Sequence, residues 1–79
     1  MIQIILNGKP HNIKEKTNII SLLETLSLSE KKVAVEINEE VVSRDHYAKK
    51  ILSAQDRVEI VHFIGGGWLE DLIISGKKY

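Results

Sequence analysis

Asn7-Gly8 falls between two strand-like runs, and this dipeptide constrains the fold more than any other feature of the chain. Both residues tolerate positive φ, which a two-residue hairpin turn requires at its central positions. Ile2 to Leu6 therefore reads as a first strand, and Lys9 to Ile13 as its antiparallel return. Pro10 has no amide N–H, so the return strand belongs at a sheet edge or starts irregularly. The period then changes. Thr17 and Asn18 offer N-cap oxygens, and Ile19, Leu22, Leu23 and Leu26 follow at i, i+3, i+4 and i+7, the spacing of one buried helical face. That spacing predicts a helix ending near Ser27 to Ser29.

Beyond the helix the period returns to two. Val33, Val35 and Ile37 alternate with Ala34 and Glu36, as in a half-buried strand. Asn38-Glu39-Glu40 reads as a turn, Val41-Val42 as a short strand, and Asp45 to Lys50 as a helical turn before Ile51-Leu52. Ala54-Gln55-Asp56 is a second polar turn. Arg57 to Phe63 is the last strand, with Val58 and Ile60 on one face and Glu59 and Val61 on the other. A hairpin, a crossing helix and further strands make an α+β chain. A ferredoxin-like plan requires a second long helix, which the pattern lacks. The expected fold is a β-grasp roll, a mixed sheet of four to five strands packed on one main helix.

Composition narrows the function. At 79 residues and 43% apolar content the chain supports one core, with little room for an enclosed substrate cavity. Eleven basic residues balance eleven acidic ones, so no excess of positive charge points to nucleic acid. The absence of cysteine removes disulfides and thiolate-bound metal. No apolar run approaches the roughly 20 residues that cross a bilayer, and no targeting pattern precedes the first strand. A cytoplasmic protein without membrane contact is the expectation.

The sharpest motif is Gly65-Gly66-Gly67, directly after Phe63-Ile64. Three glycines lose too much backbone entropy to sit well in a strand or helix. No Lys-Ser/Thr follows them, and they are not spaced to open a helix, so neither phosphate-binding pattern fits. Two readings stand. One is a flexible linker to whatever begins at Trp68. The other is an acyl tail: glycine lacks Cβ, so an extended Gly-Gly threads a narrow channel and lets catalytic groups reach its carboxylate.

Four stretches in register, IILNGKP, TNIISLLETL, VAVEINEEVVSRDHYAKKIL and DRVEIVHFIGGG, resemble the ThiS family of thiamine-biosynthesis sulfur carriers. The third contains an N-x-x-x-V-x-R pattern from Asn38 through Val42 to Arg44. Together the stretches cover residues 1–67. The resemblance implies a ubiquitin-like β-grasp fold and a di-glycine end that is adenylated and then thiocarboxylated by partner enzymes. Carried over by position, the acceptor is Gly67, preceded by Gly65 and Gly66. The resemblance also implies the partners: a ThiF-type adenylating enzyme that uses ATP, a sulfur donor such as a cysteine desulfurase, and thiazole synthase as recipient. No cofactor bound to the carrier and no catalytic residue on it are implied. Small subunits of molybdopterin synthase share the fold and the di-glycine end but usually carry prolines before the glycines, where this chain has His62-Phe63-Ile64.

The chain departs from a free-standing carrier in one respect: WLEDLIISGKKY follows Gly67. Bonded to Trp68, Gly67 bears a peptide carbonyl in place of a carboxylate. DLIISGKKY is similar to the opening segment of thiazole synthase, so residues 68–79 read as the start of a fused synthase or as a removable extension. A β-grasp interaction module with a glycine linker is the competing function.

Other residues favour structural roles. His11, His46 and His62 lack metal-ligand spacing, and no nucleophile–histidine arrangement is apparent. Arg44 and Tyr47 read as anchors of the loop after the short strand, with Glu39, Glu40 and Asp45 as candidate partners of Arg44. Val61, His62, Phe63 and Ile64 are the candidate partner-binding residues: Val61 and Phe63 as apolar positions on the sheet face that the helix leaves uncovered, His62 because it lies on the last strand near the tail.

Overall fold

The computed structural model describes residues 1–62. Asn7 (φ 47°) and Gly8 (φ 85°) turn strand β1 (Ile2–Leu6) into β2 (Lys9–Ile13), both in the left-handed region that the dipeptide was expected to occupy. Ile5 pairs with Pro10 and Ile2 with Ile13 across the hairpin. β2 lies at the sheet edge, where the missing amide of Pro10 costs no ladder bond.

Helix α1 (Ile19–Thr25) starts where expected, and Asn18 is its cap: its Oδ1 accepts the Ser21 N–H at 2.7 Å. Thr17 turns away, its hydroxyl donating to the Lys14 carbonyl. The helix ends earlier than the apolar spacing suggests. Ser27 takes φ 60°, Leu28 N–H bonds the Leu23 carbonyl and Ser27 N–H that of Glu24. This pair of bonds is a Schellman stop, and it leaves Leu26 on the cap, half-buried against the core.

β3 (Val33–Ile37) follows a single 3₁₀ turn, Glu30–Lys32. The next turn is tighter than expected. Asn38 (φ 52°) and Glu39 (φ 73°) form it alone, so the short strand β4 is Glu40–Val41 in place of Val41-Val42. Val42 adds one more bond, from its N–H to the Val35 carbonyl. The expected helical turn over Asp45 to Lys50 is a 3₁₀ turn, Arg44–His46, extended by Lys49 and Lys50 N–H bonds to the His46 carbonyl. β5 (Arg57–His62) matches the last expected strand as far as it is described.

The sheet order is β2-β1-β5-β3-β4. β5 runs parallel to β1 and antiparallel to β3, with the helix crossing between the two hairpins, so the expected β-grasp is present with five strands. Ile4, Ile13, Val33, Val35, Ile37, Val58 and Ile60 from the sheet meet Ile19, Leu22 and Leu23 from α1. Each such aliphatic side chain contributes about 1.5–3 kcal/mol by leaving water.

Tyr47 does more than anchor a loop. It is 2% exposed, and its hydroxyl bonds the backbone of Val35. Its carbonyl accepts the first helical amides, those of Ile19 and Ile20. The side chain thus ties the connecting segment to β3, while the same residue's backbone ties it to α1. Burial, against the smaller opposing effects of the Val35 bond and Arg44, raises the phenol pKa above its ordinary 10.0. A raised folded-state value contributes stability that is complete below the unfolded value of about 10 and is lost as pH rises through the folded value. Replacing Tyr47 by Phe should cost about 0.5–1.5 kcal/mol at neutral pH through the lost hydrogen bond. In urea melts from pH 8 to 11.5, the advantage of wild type over Y47F should shrink as pH rises above about 10.

Candidate functional site

Whatever follows residue 62 leaves from β5, and β5 is the central strand, paired on both sides. Its start is held by side chains as well as by ladder bonds. Asp56 Oδ2 accepts the Ser53 N–H at 2.8 Å, and Asp56 Oδ1 accepts from Asn38 Nδ2 at 3.1 Å. Asn38 in turn accepts the Arg57 N–H through Oδ1 at 2.9 Å and donates its own N–H to the Arg57 carbonyl at 2.7 Å. On the other side, Ile5 N–H bonds the Asp56 carbonyl and Gln55 N–H the Gln3 carbonyl. The first residue of the N-x-x-x-V-x-R pattern is therefore a clamp on the start of β5. The second, Val42, packs against the core. Glu39, a candidate partner for Arg44, is joined to Arg57 at 3.0 Å on the exposed surface.

The register assigns the faces. Cross-strand partners share a face, and His62 lies opposite buried Val33, so His62 belongs to the side that α1 covers. Val61 lies opposite Ala34 on the open side. The two candidate partner-binding residues within the described chain thus face opposite ways. Phe63, Ile64 and the three glycines Gly65, Gly66 and Gly67 lie outside the described residues, as does Trp68.

The open face carries Ile5, Ala34 and Val61, all half-buried, and Val41, which is 56% exposed. Between them, Glu36 of β3 is directly opposite Glu59 of β5. Two like charges across an antiparallel pair oppose folding. His11, His46 and His62 fall on three different elements. Among the described residues no cluster of three or more His, Asp or Glu side chains is placed to hold a metal ion. No described helix is long and apolar enough to cross a membrane.

A five-stranded mixed sheet with a parallel β1·β5 pair at its centre, closed on one helix, defines a ubiquitin-like β-grasp protein. The ThiS family model matches residues 4–67, and the chain belongs to the ThiS family. The sulfur carrier protein ThiS of Bacillus subtilis is 43% identical over 63 residues, which span 78% of this chain and 96% of that protein. A thiazole synthase of Magnetococcus marinus is 48% identical over 66 residues, or 84% of this chain and 20% of that protein. The chain thus spans about a fifth of that relative's length. The crystal structure of the thiamine biosynthesis protein ThiS from Geobacter metallireducens superposes with a TM-score of 0.73 at 33% identity, covering 84% of this chain and all of that one.

Sequence reasoning recognised Asn7 and Asn38 as turn formers and missed what their side chains do. Both amides reach β5, 53 and 19 residues away. The only signal was the choice of Asn where Gly or Asp would also make the turn.

Replacing Glu36 by Lys should turn the repulsion with Glu59 into an attraction. Thermal melts at low salt should show a gain of about 0.2–1 kcal/mol, shrinking as salt is added.

Proposed function

We propose that this chain is a sulfur carrier for thiamine thiazole formation, with Gly67 as the acyl end. The observation that carries the reading is the family match, which runs from the first strand to Gly67 and stops there. It is supported by the near-complete coverage of a free-standing relative named as a sulfur carrier.

In this reading the carrier supplies an acyl group and its partners supply the catalysis. An adenylating enzyme of the ThiF type presents ATP. The Gly67 carboxylate attacks the α-phosphate, pyrophosphate leaves, and an acyl adenylate forms. Sulfide, released when a thiol reduces the persulfide of a donor such as a cysteine desulfurase and becomes a disulfide, then adds to the acyl carbon. AMP departs with the C–O bond electrons, leaving a thiocarboxylate. Thiazole synthase takes the sulfur. The glycines suit this path because they have no Cβ to obstruct a narrow channel. The central position of β5 suits it too, because a tail launched from a strand paired on both sides starts from a fixed point. Val61 and its open-face neighbours are the docking surface in this reading.

The carboxylate is available only when nothing is bonded to Gly67, and Trp68 is. A specific observation supports a fused arrangement: a relative named thiazole synthase contains a segment like this chain within a protein about five times longer. Residues 68–79 then form the start of the synthase, and cleavage after Gly67 frees the carrier. Intact-mass measurement of the protein from its native host should find a species ending at Gly67. A sole mature species retaining Trp68 sinks the cleavage idea.

The chain cut after Gly67, incubated with activating enzyme, ATP and sulfur donor, should gain mass corresponding to one oxygen exchanged for sulfur. Gly67→Leu should abolish the conversion and leave the melting curve unchanged. No mass change under conditions that convert the Bacillus subtilis carrier overturns the reading in favour of an interaction module with a glycine linker.

A further inference from the structure

β1 reaches only the first part of β5. The parallel ladder between them holds two register pairs, Ile5 with Arg57 and Leu6 with Val58, after which the chain turns away at Asn7-Gly8. The β5 groups that face β1 belong to alternate residues: Asp56 and Val58 carbonyls accept from Ile5 and Asn7 amides at 2.9 and 2.8 Å. By the same alternation the N–H and C=O of Ile60 face that side, beyond the end of β1. No backbone of β1 is there to meet them.

The Asn7 side chain meets both. Its Oδ1 accepts the Ile60 N–H at 2.8 Å, and its Nδ2 donates to the Ile60 carbonyl at 3.3 Å. A carboxamide presents a donor and an acceptor side by side, as a peptide unit does. The side chain therefore adds one further rung to the parallel ladder while the backbone of the same residue is already turning. Neither requirement alone singles out Asn. Gly satisfies the φ of 47° without an amide, Gln carries its amide on a longer arm and enters left-handed backbone less readily, and Asn combines a short arm with ready left-handed backbone.

Resting on the carrier reading above, we infer that Asn7 is a positioning residue: its carboxamide fixes the distal end of β5, and so the direction in which the chain departs toward Gly67. β3 pairs with the other edge of β5 through Val61 opposite Ala34, and Asn7 supplies the matching bonds on the β1 side. The energetic reason for the clamp is the burial of Ile60, whose backbone groups lose contact with water at the centre of the sheet.

The test compares wild type with Asn7→Gly, which keeps the turn and deletes the amide. Asn7→Asp keeps the turn and the acceptor but loses the donor. In native-state hydrogen exchange on the full chain, the Ile60 amide should exchange at least tenfold faster in N7G and remain largely protected in N7D. The Glu59 and Val61 amides, which face β3, should change little. Unchanged exchange at Ile60 in N7G overturns the clamp.

With the chain cut after Gly67, which retains every described element, adenylation by the activating enzyme should show a severalfold lower kcat in N7G at unchanged KM. Docking involves the open face, and only the aim of the tail is altered. Equal kcat in a fully folded N7G with accelerated Ile60 exchange overturns the positioning role and leaves a structural clamp. If wild type itself is not adenylated, the carrier reading and the positioning role fall together, and the exchange data alone decide the clamp.

Discussion

The structure depends on the insertion of β5 between β1 and β3. The two hairpin halves of the chain, β1–β2 and β3–β4, share no strand pairing with each other. Only when the last strand enters between them does one sheet exist, and only then do Val58 and Ile60 complete the layer against which α1 packs. Because β2 and β3 both run opposite to β1 and β5, the chain between β2 and β3 must cross from one end of the sheet to the other, and the helix makes that crossing. One long-range pairing thus dictates the roll, the place of the helix and the point from which the glycine segment departs.

The hydrogen bonds that support this insertion are side-chain bonds at turns. Asn38 and Asp56 hold the start of β5, and Asn7 holds its far end. Tyr47 performs the matching task on the other layer, joining the segment after β4 to both helix and sheet. A small domain buries a limited fraction of its surface, so a few polar residues that satisfy backbone groups at strand ends have large effects on its order. They also allow the strand that leads to the tail to be well held while the open sheet face keeps its opposed acids.

Much of this was legible in the linear chain. The Asn7-Gly8 turn, the buried face of α1 and the alternation in β3 and β5 all follow from local rules, because φ preference and side-chain period act within a few residues. The sites at which expectation and structure part company are those where backbone geometry that the apolar period does not report sets the boundary. α1 stops early because Ser27 adopts left-handed backbone and lets Leu28 close a Schellman turn. β4 begins at Glu40 because Asn38 and Glu39 complete the turn in two residues, with Asn38 held by Arg57. Tyr47 resembled a loop anchor because a single aromatic residue between charged ones has no period to reveal its burial.

The sequence by itself determined the elements, the β-grasp class and the family, because hydrophobic period, turn chemistry and the Gly65–Gly67 run are properties of neighbouring residues. Tertiary structure alone decided that β5 is central, that the Val61 side is the open face and the His62 side the one the helix covers, and that Asn7 and Asn38 reach across the sheet to hold the strand. Those facts depend on which strands become neighbours, and pairing between segments some 50 residues apart leaves no local mark on either one.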